Sequence, residues 1–486
     1  MTIRGKTSRR GLYGLMTAIL VVAFVATQFE FSSSPLERGD VDELLALARR
    51  DDLNVVFILV DTLRADRLGS HDYARDTSPT LDALARTGIR FARHHSQSSW
   101  TKTSMAALWT GTYPHRNGIL RYADAIPDSV FMPAEIFQEE GYVTAGIWRN
   151  GWVAPTFGFE QGFDVYHRPS TGVPIGFQRR ESKNPYAKIE GSDLDVTEGV
   201  IEFLRLNARD RFFVYAHYMD AHQYMSDEES ARFGSSYSDL YDNSIHWTDR
   251  NIAAVLAALE SEGVRDETIV VITSDHGEAF GEHGREGHAK DLHREVIHIP
   301  WIIGLPFELE EGIIVDALTE NVDVWPTLLD LMGSPALDHA DGRSRLPEIL
   351  IAAGRPDEIE APPNETPLFA ELDRSWGRAD APSDPIVALT LEDRRYMRVL
   401  DPERITAKTK TPTERPLAML FDTASDPAER RDLLSEEAGD AEVSVLEERL
   451  EEILNRPPPP WRDEVGKVEL SDMQKGQLRA IGYAIE

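Results

Sequence analysis

Residues Thr268–His276 read TIVVITSDH. Six β-branched residues run directly into Ser274, Asp275 and His276. A short apolar run with polar residues at its end reads as a buried strand. The strand delivers a carboxylate and an imidazole side by side at its carboxyl end. That pair suits a hard or borderline divalent metal, with Zn²⁺, Mn²⁺ and Ca²⁺ all open. Asn54–Val60, NVVFILV, repeats the pattern and ends in Asp61. Asp61 also has a plainer reading as a helix cap over Thr62–Asp66.

Outward from these two strands the chain alternates. Helical patterns fall at Thr80–Arg86, Ser104–Thr110, Leu194–Leu206 and Ile245–Leu259. Strand patterns fall at Ile89–Ala92, Val143–Arg149 and Phe212–His217. Ile297–Ile303 and Val322–Met332 extend the series. Such a series predicts an open α/β sheet, whose ligands bind at the carboxyl ends of its strands. Past residue 340 the texture changes. Residues 351–390 are rich in Pro, Glu and Asp and read as long loops. Ile386–Leu391 and Tyr396–Leu400 read as antiparallel strands of a small second sheet, and Val443–Leu454 as a terminal helix.

The chain has 486 residues, 41% of them hydrophobic and 28% charged, a composition that folds. Cysteine is absent, which excludes a disulfide scaffold, a thiol nucleophile, thiolate-bound zinc and an Fe–S cluster. The net charge of −32 argues against a nucleic-acid polymer as partner. It leaves room for a small anionic substrate drawn in by a local metal ion.

Residues 1–10 carry Arg4, Lys6, Arg9 and Arg10. Gly11–Phe29 then runs for 19 residues without a charge. As a helix it is about 28 Å long, close to the hydrocarbon thickness of a bilayer. We read 11–29 as a signal anchor, with a cleaved signal peptide as the alternative, and 30–51 as a tether. The expectation is an exported protein on the periplasmic or extracellular face, held to the membrane by its N-terminal segment.

Several ordered motifs occupy this frame. They are VDTLRAD (60–66), TSPTLDALARTGIRF (77–91), TGTYPHRNGI (110–119), GFEQGFD (158–164) and YDNSIHWTDRNI (241–252). TSDHGE (273–278), GHAKDLHREVIHIPWII (287–303) and LFDTASDPAERRDLLSE (420–436) complete the set. In these the chain resembles the sulfatase branch of the alkaline phosphatase superfamily, well over 52–335 and more weakly beyond. The resemblance implies a mostly parallel central sheet sandwiched by helices over 52–340. It implies a C-terminal subdomain over 341–486, with a small antiparallel sheet and a terminal helix.

The resemblance also implies a site. The family's nucleophile stands a fixed distance before a Thr-Gly pair, and counting back from Thr110–Gly111 reaches Thr101. Sulfatases carry Cys or Ser there, oxidised to formylglycine, in Cys/Ser-x-Pro-x-Arg. Here Thr101, Thr103 and Met105 stand at those positions. The pattern is similar to threonine-dependent phosphodiesterases, phosphatases and phosphoethanolamine transferases. Asp61, Thr101, Asp275, His276 and His288 are the implied metal ligands, for one or two ions, with Zn²⁺ or Mn²⁺ favoured and Ca²⁺ open. His222, His217, His288 and Lys102 join Thr101 as catalytic candidates. Asp220 is a candidate for a second metal, and Asn150 for the substrate side. His115 and Arg116 read chiefly as structural.

The reaction expected is hydrolysis of phosphate monoesters or diesters through a phosphothreonine intermediate. A sulfuric ester hydrolase is the alternative, as is a phosphoryl transferase to an alcohol. A binding protein on the same scaffold is a further class, against which the retained ligand set speaks. The segment Ser170–Lys188 and residues 351–390 are expected to shape specificity.

Overall fold

β1 (Asn54–Val60) shows how the layers arise. All seven residues are buried. Val55, Phe57 and Leu59 join one hydrophobic cluster, while Val56, Ile58 and Val60 join another. Alternate side chains of a strand point to opposite faces, so one apolar run must be covered on both sides.

The central sheet contains β1, β2 (Ile89–His95), β3 (Val143–Ile147), β4 (Val165–His167), β5 (Phe212–Tyr218), β6 (Thr268–Thr273), β7 (Trp301–Gly304) and β8 (Ile313–Glu320). Their order is β8-β2-β7-β6-β1-β5-β3-β4. Neighbours are parallel except around β7, which runs antiparallel to β2 and β6. Helices α1 (Pro79–Thr87), α3 (Asp193–Asn207) and α5 (Tyr237–Glu262) cover one face. Helices α2 (Thr101–Thr110) and α6 (Val324–Met332) cover the other. A short helix, α4 (Asp220–Gln223), follows β5 directly.

A separate antiparallel sheet runs in sequence order through β9 (Leu368–Asp373), β10 (Pro385–Leu391), β11 (Arg394–Val399) and β12 (Ala418–Asp422). Helix α7 (Asp440–Leu454) follows it, and Leu446, Leu450 and Ile453 cluster with β10 and β12. This is the expected mostly parallel α/β sandwich with a small C-terminal antiparallel sheet. The reading of 351–390 as loops missed β9, whose six residues are all buried. Ile297–Ile303, which extends the alternating series, divides between two elements. Arg294–Ile297 is a helical turn, and the strand begins at Trp301.

The computed structural model describes residues 36–169, 191–356, 366–378, 381–401, 416–436 and 440–480. The basic segment 1–10, the apolar run 11–29 and the segment Ser170–Lys188 lie outside them. The described residues from Arg38 onward form one compact unit. Within the expected tether, Val41–Ala46 is helical, because Asp40 and Glu43 make a reciprocal capping box.

The expectation of a membrane partner and a signal anchor is corrected for the described residues, and the run 11–29, on which the periplasmic or extracellular location rested, lies outside them. Among the described residues no helix is long and apolar enough to cross a membrane. The 26-residue α5 is long enough, but Asp239, Asp242, Asp249 and Arg250 break its apolar positions.

Candidate metal and nucleophile site

The carboxyl ends of β1 and β6 lie next to each other, because these strands pair in parallel with Leu59 opposite Thr273. Asp61 and the Asp275–His276 pair therefore emerge side by side. Ligand atoms of Asp61, Asp275 and His276 all lie within 4.8 Å of one another, and all three residues are buried. Asp61 Oδ1 and Asp275 Oδ2 are buried without a hydrogen-bond partner. Two unpartnered buried carboxylate oxygens cost free energy, and a cation between them removes that cost. The donor set fits a divalent ion.

The electrostatics agree. Burial and the neighbouring Asp275 push the Asp61 carboxyl up to about 7. Burial opposes ionisation of Asp275 as well, but the His276 ring and the Thr62 N–H outweigh it and hold Asp275 below its usual range.

Thr62 follows Asp61 at the end of β1. Its backbone N–H donates to Asp275 Oδ1 at 3.1 Å, and its hydroxyl donates to the Asp61 carbonyl at 2.6 Å. Its φ of 63° is left-handed, which strains a β-branched residue. Tyr241 donates to the Thr62 carbonyl at 2.6 Å and Ser274 accepts from Leu63 N–H at 2.9 Å, so the turn is held from two sides.

Thr101 opens α2, every residue of which is buried. Trp100 is its N-cap. Thr101 Oγ1 lies 3.1 Å from His276 Nε2. His276 Nδ1 lies 2.9 Å from the Gly277 carbonyl. A carbonyl only accepts, so Nδ1 carries the proton and Nε2 presents its lone pair to the site. Stacking of Trp100 on Trp376 at 4.5 Å, with Trp152 edge-on to Trp100 at 5.2 Å, walls the start of α2.

Asn150 follows β3. Its Nδ2 donates to Asp61 Oδ2 at 2.5 Å and lies 3.5 Å from Thr101 Oγ1. His217 Nε2 lies 3.2 Å from the same Asp61 oxygen, and its Nδ1 lies 2.6 Å from the Tyr215 hydroxyl. Burial lowers His217 to about 4, so the ring is neutral. The His288 ring centre sits 4.4 Å from that of His276 and 5.0 Å from that of His222. The structure thus gathers Asp61, Thr101, Asp275, His276, His217, His222 and His288.

Other candidates fall elsewhere. Lys102 is buried beside the site but turned from it. Its ammonium donates to the Tyr122 carbonyl at 2.7 Å and lies 3.8 Å over the Phe157 ring. Asp220 accepts from Arg149 at 2.5 Å and from the Trp247 indole at 2.8 Å. Those bonds place it in a salt-bridge network instead of the carboxylate cluster. Arg116 pairs with Asp341 at 2.6 Å, and His115 Nε2 reaches the Ile453 carbonyl at 3.1 Å, both toward the C-terminal part.

Sequence reading missed the partner of His288. Glu278 Oε2 lies 2.8 Å from His288 Nδ1 and is buried. The signal was in TSDHGE, two residues past His276.

The family model described as Sulfatase matches residues 53–334. The chain belongs to the sulfatase family. Its fold is that of the alkaline phosphatase superfamily, and the missing cysteine fits a threonine-nucleophile branch. The Ulvan-active sulfatase of Formosa agariphila is 26% identical over 439 residues, covering 83% of this chain and 80% of that protein. Among solved structures, a 2-O GAG sulfatase aligns with a TM-score of 0.64 and 19% identity, over 87% of this chain and 96% of that one. The phosphonate monoester hydrolase of Agrobacterium radiobacter aligns with a TM-score of 0.62 and 18% identity, over 83% and 95%. At those identities the structural matches show the fold. As a sulfatase-family enzyme with a buried Asp/Asp/His cluster, the chain is a metal-associated hydrolase of small anionic esters.

Proposed function

We propose that this chain hydrolyses sulfuric esters, with the Thr101 hydroxyl as the attacking group. The observation that carries the ester-hydrolase reading is Thr101 Oγ1, 3.1 Å from His276 Nε2 at the start of a helix. The choice of sulfuric over phosphoric esters rests on the relatives, whose names are mostly those of sulfatases. That reverses the order in which Thr101 alone ranks the two.

Asp61, Asp275 and His276 would hold a divalent ion, with Thr101 and His288 at its margin. Zn²⁺ or Mn²⁺ suits the imidazole, and Ca²⁺ suits the carboxylates. Such an ion supplies positive charge for the ester's anionic oxygens and lowers the pKa of a nearby hydroxyl. His276 Nε2, whose lone pair the ion would take, lies 3.1 Å from Thr101 Oγ1 and so would keep the hydroxyl beside the ion. The N-terminal end of α2 carries the partial positive charge of the helix dipole, which suits developing negative charge. Thr101 Oγ1 gives up its proton and bonds to sulfur as the bond to the leaving alcohol breaks. His217, His222 and His288 are the candidates to take that proton and hand it to the departing alcohol. Water then attacks sulfur and gives a proton to the Thr101 oxygen as its bond to sulfur breaks, which restores the hydroxyl. In this reading residues 52–340 carry the catalysis, and 341–486 form a C-terminal subdomain against it.

One observation favours a second reading. Thr101 cannot become the aldehyde hydrate of cysteine-bearing sulfatases, and threonine hydroxyls serve phosphoryl transfer in similar enzymes. The same steps at phosphorus give a phosphothreonine and a phosphoric ester hydrolase.

Matched aryl sulfate, phosphate monoester, phosphate diester and phosphonate substrates test both readings, with Thr101→Ala as control. The sulfate ester should have the highest kcat/KM. Dominant turnover of a phosphorus ester would replace the first reading by the second. Turnover of none by metal-loaded, folded protein would overturn both.

A further inference from the structure

Helix α8 (Asp472–Ala480) packs behind the turn that carries Asn150. Its Leu478 is buried, and a Cβ placed on Gly151 would stand 3.1 Å from Leu478 Cδ2. The leucine therefore lies directly against the residue that follows Asn150. Gln474 Nε2 of the same helix donates to Thr156 Oγ1 at 3.3 Å, a few residues further along that loop.

Asn150 is tied at both ends of its amide. Nδ2 donates to Asp61 Oδ2 at 2.5 Å, and Oδ1 accepts the Trp152 N–H at 2.9 Å. Asn150 thus caps the 3₁₀ turn Gly151–Val153, and the place of that turn sets where Nδ2 points. Asp61 Oδ1 has no hydrogen-bond partner, so the bond to Oδ2 leaves Oδ1 as the oxygen offered to an ion. Trp152 and Val153 are fully buried, and Trp152 lies edge-on to Trp100, the residue before Thr101.

The segment before α8 is fastened to a second loop beside the site. Gly466–Lys467 pair antiparallel with Asp124–Ala125. Val468 N–H donates to the Ala123 carbonyl at 2.7 Å, and the Lys467 ammonium pairs with Asp124. That loop also carries the Tyr122 carbonyl, which accepts from Lys102 at 2.7 Å. Trp461, Leu470 and Leu478 belong to the hydrophobic cluster that holds Trp100 and Trp152. Residues 461–480 thus run from the loop that holds Lys102 to the turn that holds Asn150.

We propose that residues 461–480 form a strap that sets the metal site, with Leu478 as a positioning residue acting through Gly151 and Asn150 on Asp61. The inference rests on the reading of Asp61 as a metal ligand and is independent of which ester reacts. Loss of a group that orients a metal ligand costs about 10–100-fold in affinity, and Leu478 acts one contact further out, so its loss should cost about fivefold.

The test titrates the metal-free full chain with Zn²⁺, Mn²⁺ and Ca²⁺ and follows the ion that binds tightest. Leu478→Ala should weaken that ion about fivefold, and Leu478→Met, which keeps the bulk, should stay within about twofold of wild type. Leu446→Ala, in the separate cluster under the C-terminal sheet, should lower the melting temperature and leave the affinity unchanged. In an Asn150→Ala chain, Leu478→Ala should weaken binding no further. Unchanged affinity in Leu478→Ala would overturn the strap. So would an equal loss in Leu446→Ala, a Leu478→Met chain as weak as Leu478→Ala, or the same fold-loss with and without Asn150. No ion bound by the folded wild type would remove the metal reading, and the strap with it. The expected pattern of ion binding without turnover of any ester keeps the strap and removes the hydrolase reading.

Discussion

His288 Nδ1 lies 2.8 Å from Glu278 Oε2, with the carboxylate buried and the ring partly so. The Tyr237 hydroxyl approaches the other Glu278 oxygen at 3.3 Å and itself accepts from Tyr224 at 2.6 Å. The carboxylate therefore fixes the ring of His288 through Nδ1. Glu278→Ala is expected to lower metal affinity or kcat/KM by about 10–100-fold, as loss of such an orienting carboxylate does. Metal content after dialysis and kcat/KM on one ester report this. Glu278→Gln keeps a hydrogen bond and is expected to lose less.

Asp275→Asn separates metal binding from stability. In the wild-type chain the two buried carboxylates oppose each other, and Asp61 is pushed up to about 7 by burial and by Asp275. A divalent ion at one hundred times its Kd should stabilise the wild-type chain by about 2.7 kcal/mol. The variant is expected to show little of that gain. Without metal it is expected to melt no lower than the wild type, because one buried charge is gone. Thermal unfolding with and without added ion reads both effects.

Replacing Thr101 tests the nucleophile. Thr101→Ala is expected to cut kcat by on the order of 10³-fold or more while leaving metal content unchanged in direction and rank among ions. Thr101→Ser keeps a hydroxyl at the start of α2 and should retain measurable turnover. Equal loss in both variants would point to a packing role for the threonine methyl.

Arg149 holds the network behind the site. Its guanidinium lies 2.5 Å from Asp220 and 3.2 Å from Asp193, with all three side chains fully buried. Arg149→Leu strands two buried carboxylates, a loss of about 3–5 kcal/mol. Urea unfolding should show a lower midpoint with a similar slope. Activity should fall with it, since Asp220 begins the short helix that carries His222.

Acid should destabilise the fold through His94. Burial pushes this ring down to about 3, although Asn321 hydrogen-bonds it at 2.9 Å. An unfolded histidine takes up its proton near 6.5. Between those values the unfolded chain binds the extra proton, so stability falls as pH drops from about 6.5 toward 3. The slope from this one residue approaches about 1.4 kcal/mol per pH unit. His94→Gln is expected to flatten the slope in that window, measured as the urea midpoint against pH.

Asp61, Asp275 and His276 were legible because each sits where an apolar run of one residue class stops. Thr101 was legible only through the family spacing to Thr110–Gly111. Lys102 misled because adjacency along a chain is not adjacency in a helix. Successive helical side chains are turned by about 100°, so a neighbour of Thr101 faces the core near Phe157. β9 went unread because six buried residues are diluted in a stretch of Pro and acidic side chains.

By itself the sequence determined the layered α/β class, the strand-end position of three metal-ligand candidates and the absence of a thiol nucleophile. Those follow from local periodicity and residue chemistry. The tertiary structure decided which groups meet. Asn150 reaches Asp61 because β3 packs beside β5. His217 reaches Asp61 because β5 pairs with β1. Thr101 meets His276 because α2, fully buried, packs on one face of the sheet and starts beside the residues that follow β6. Strand order and helix docking are set by long-range burial, which no window of neighbouring residues contains.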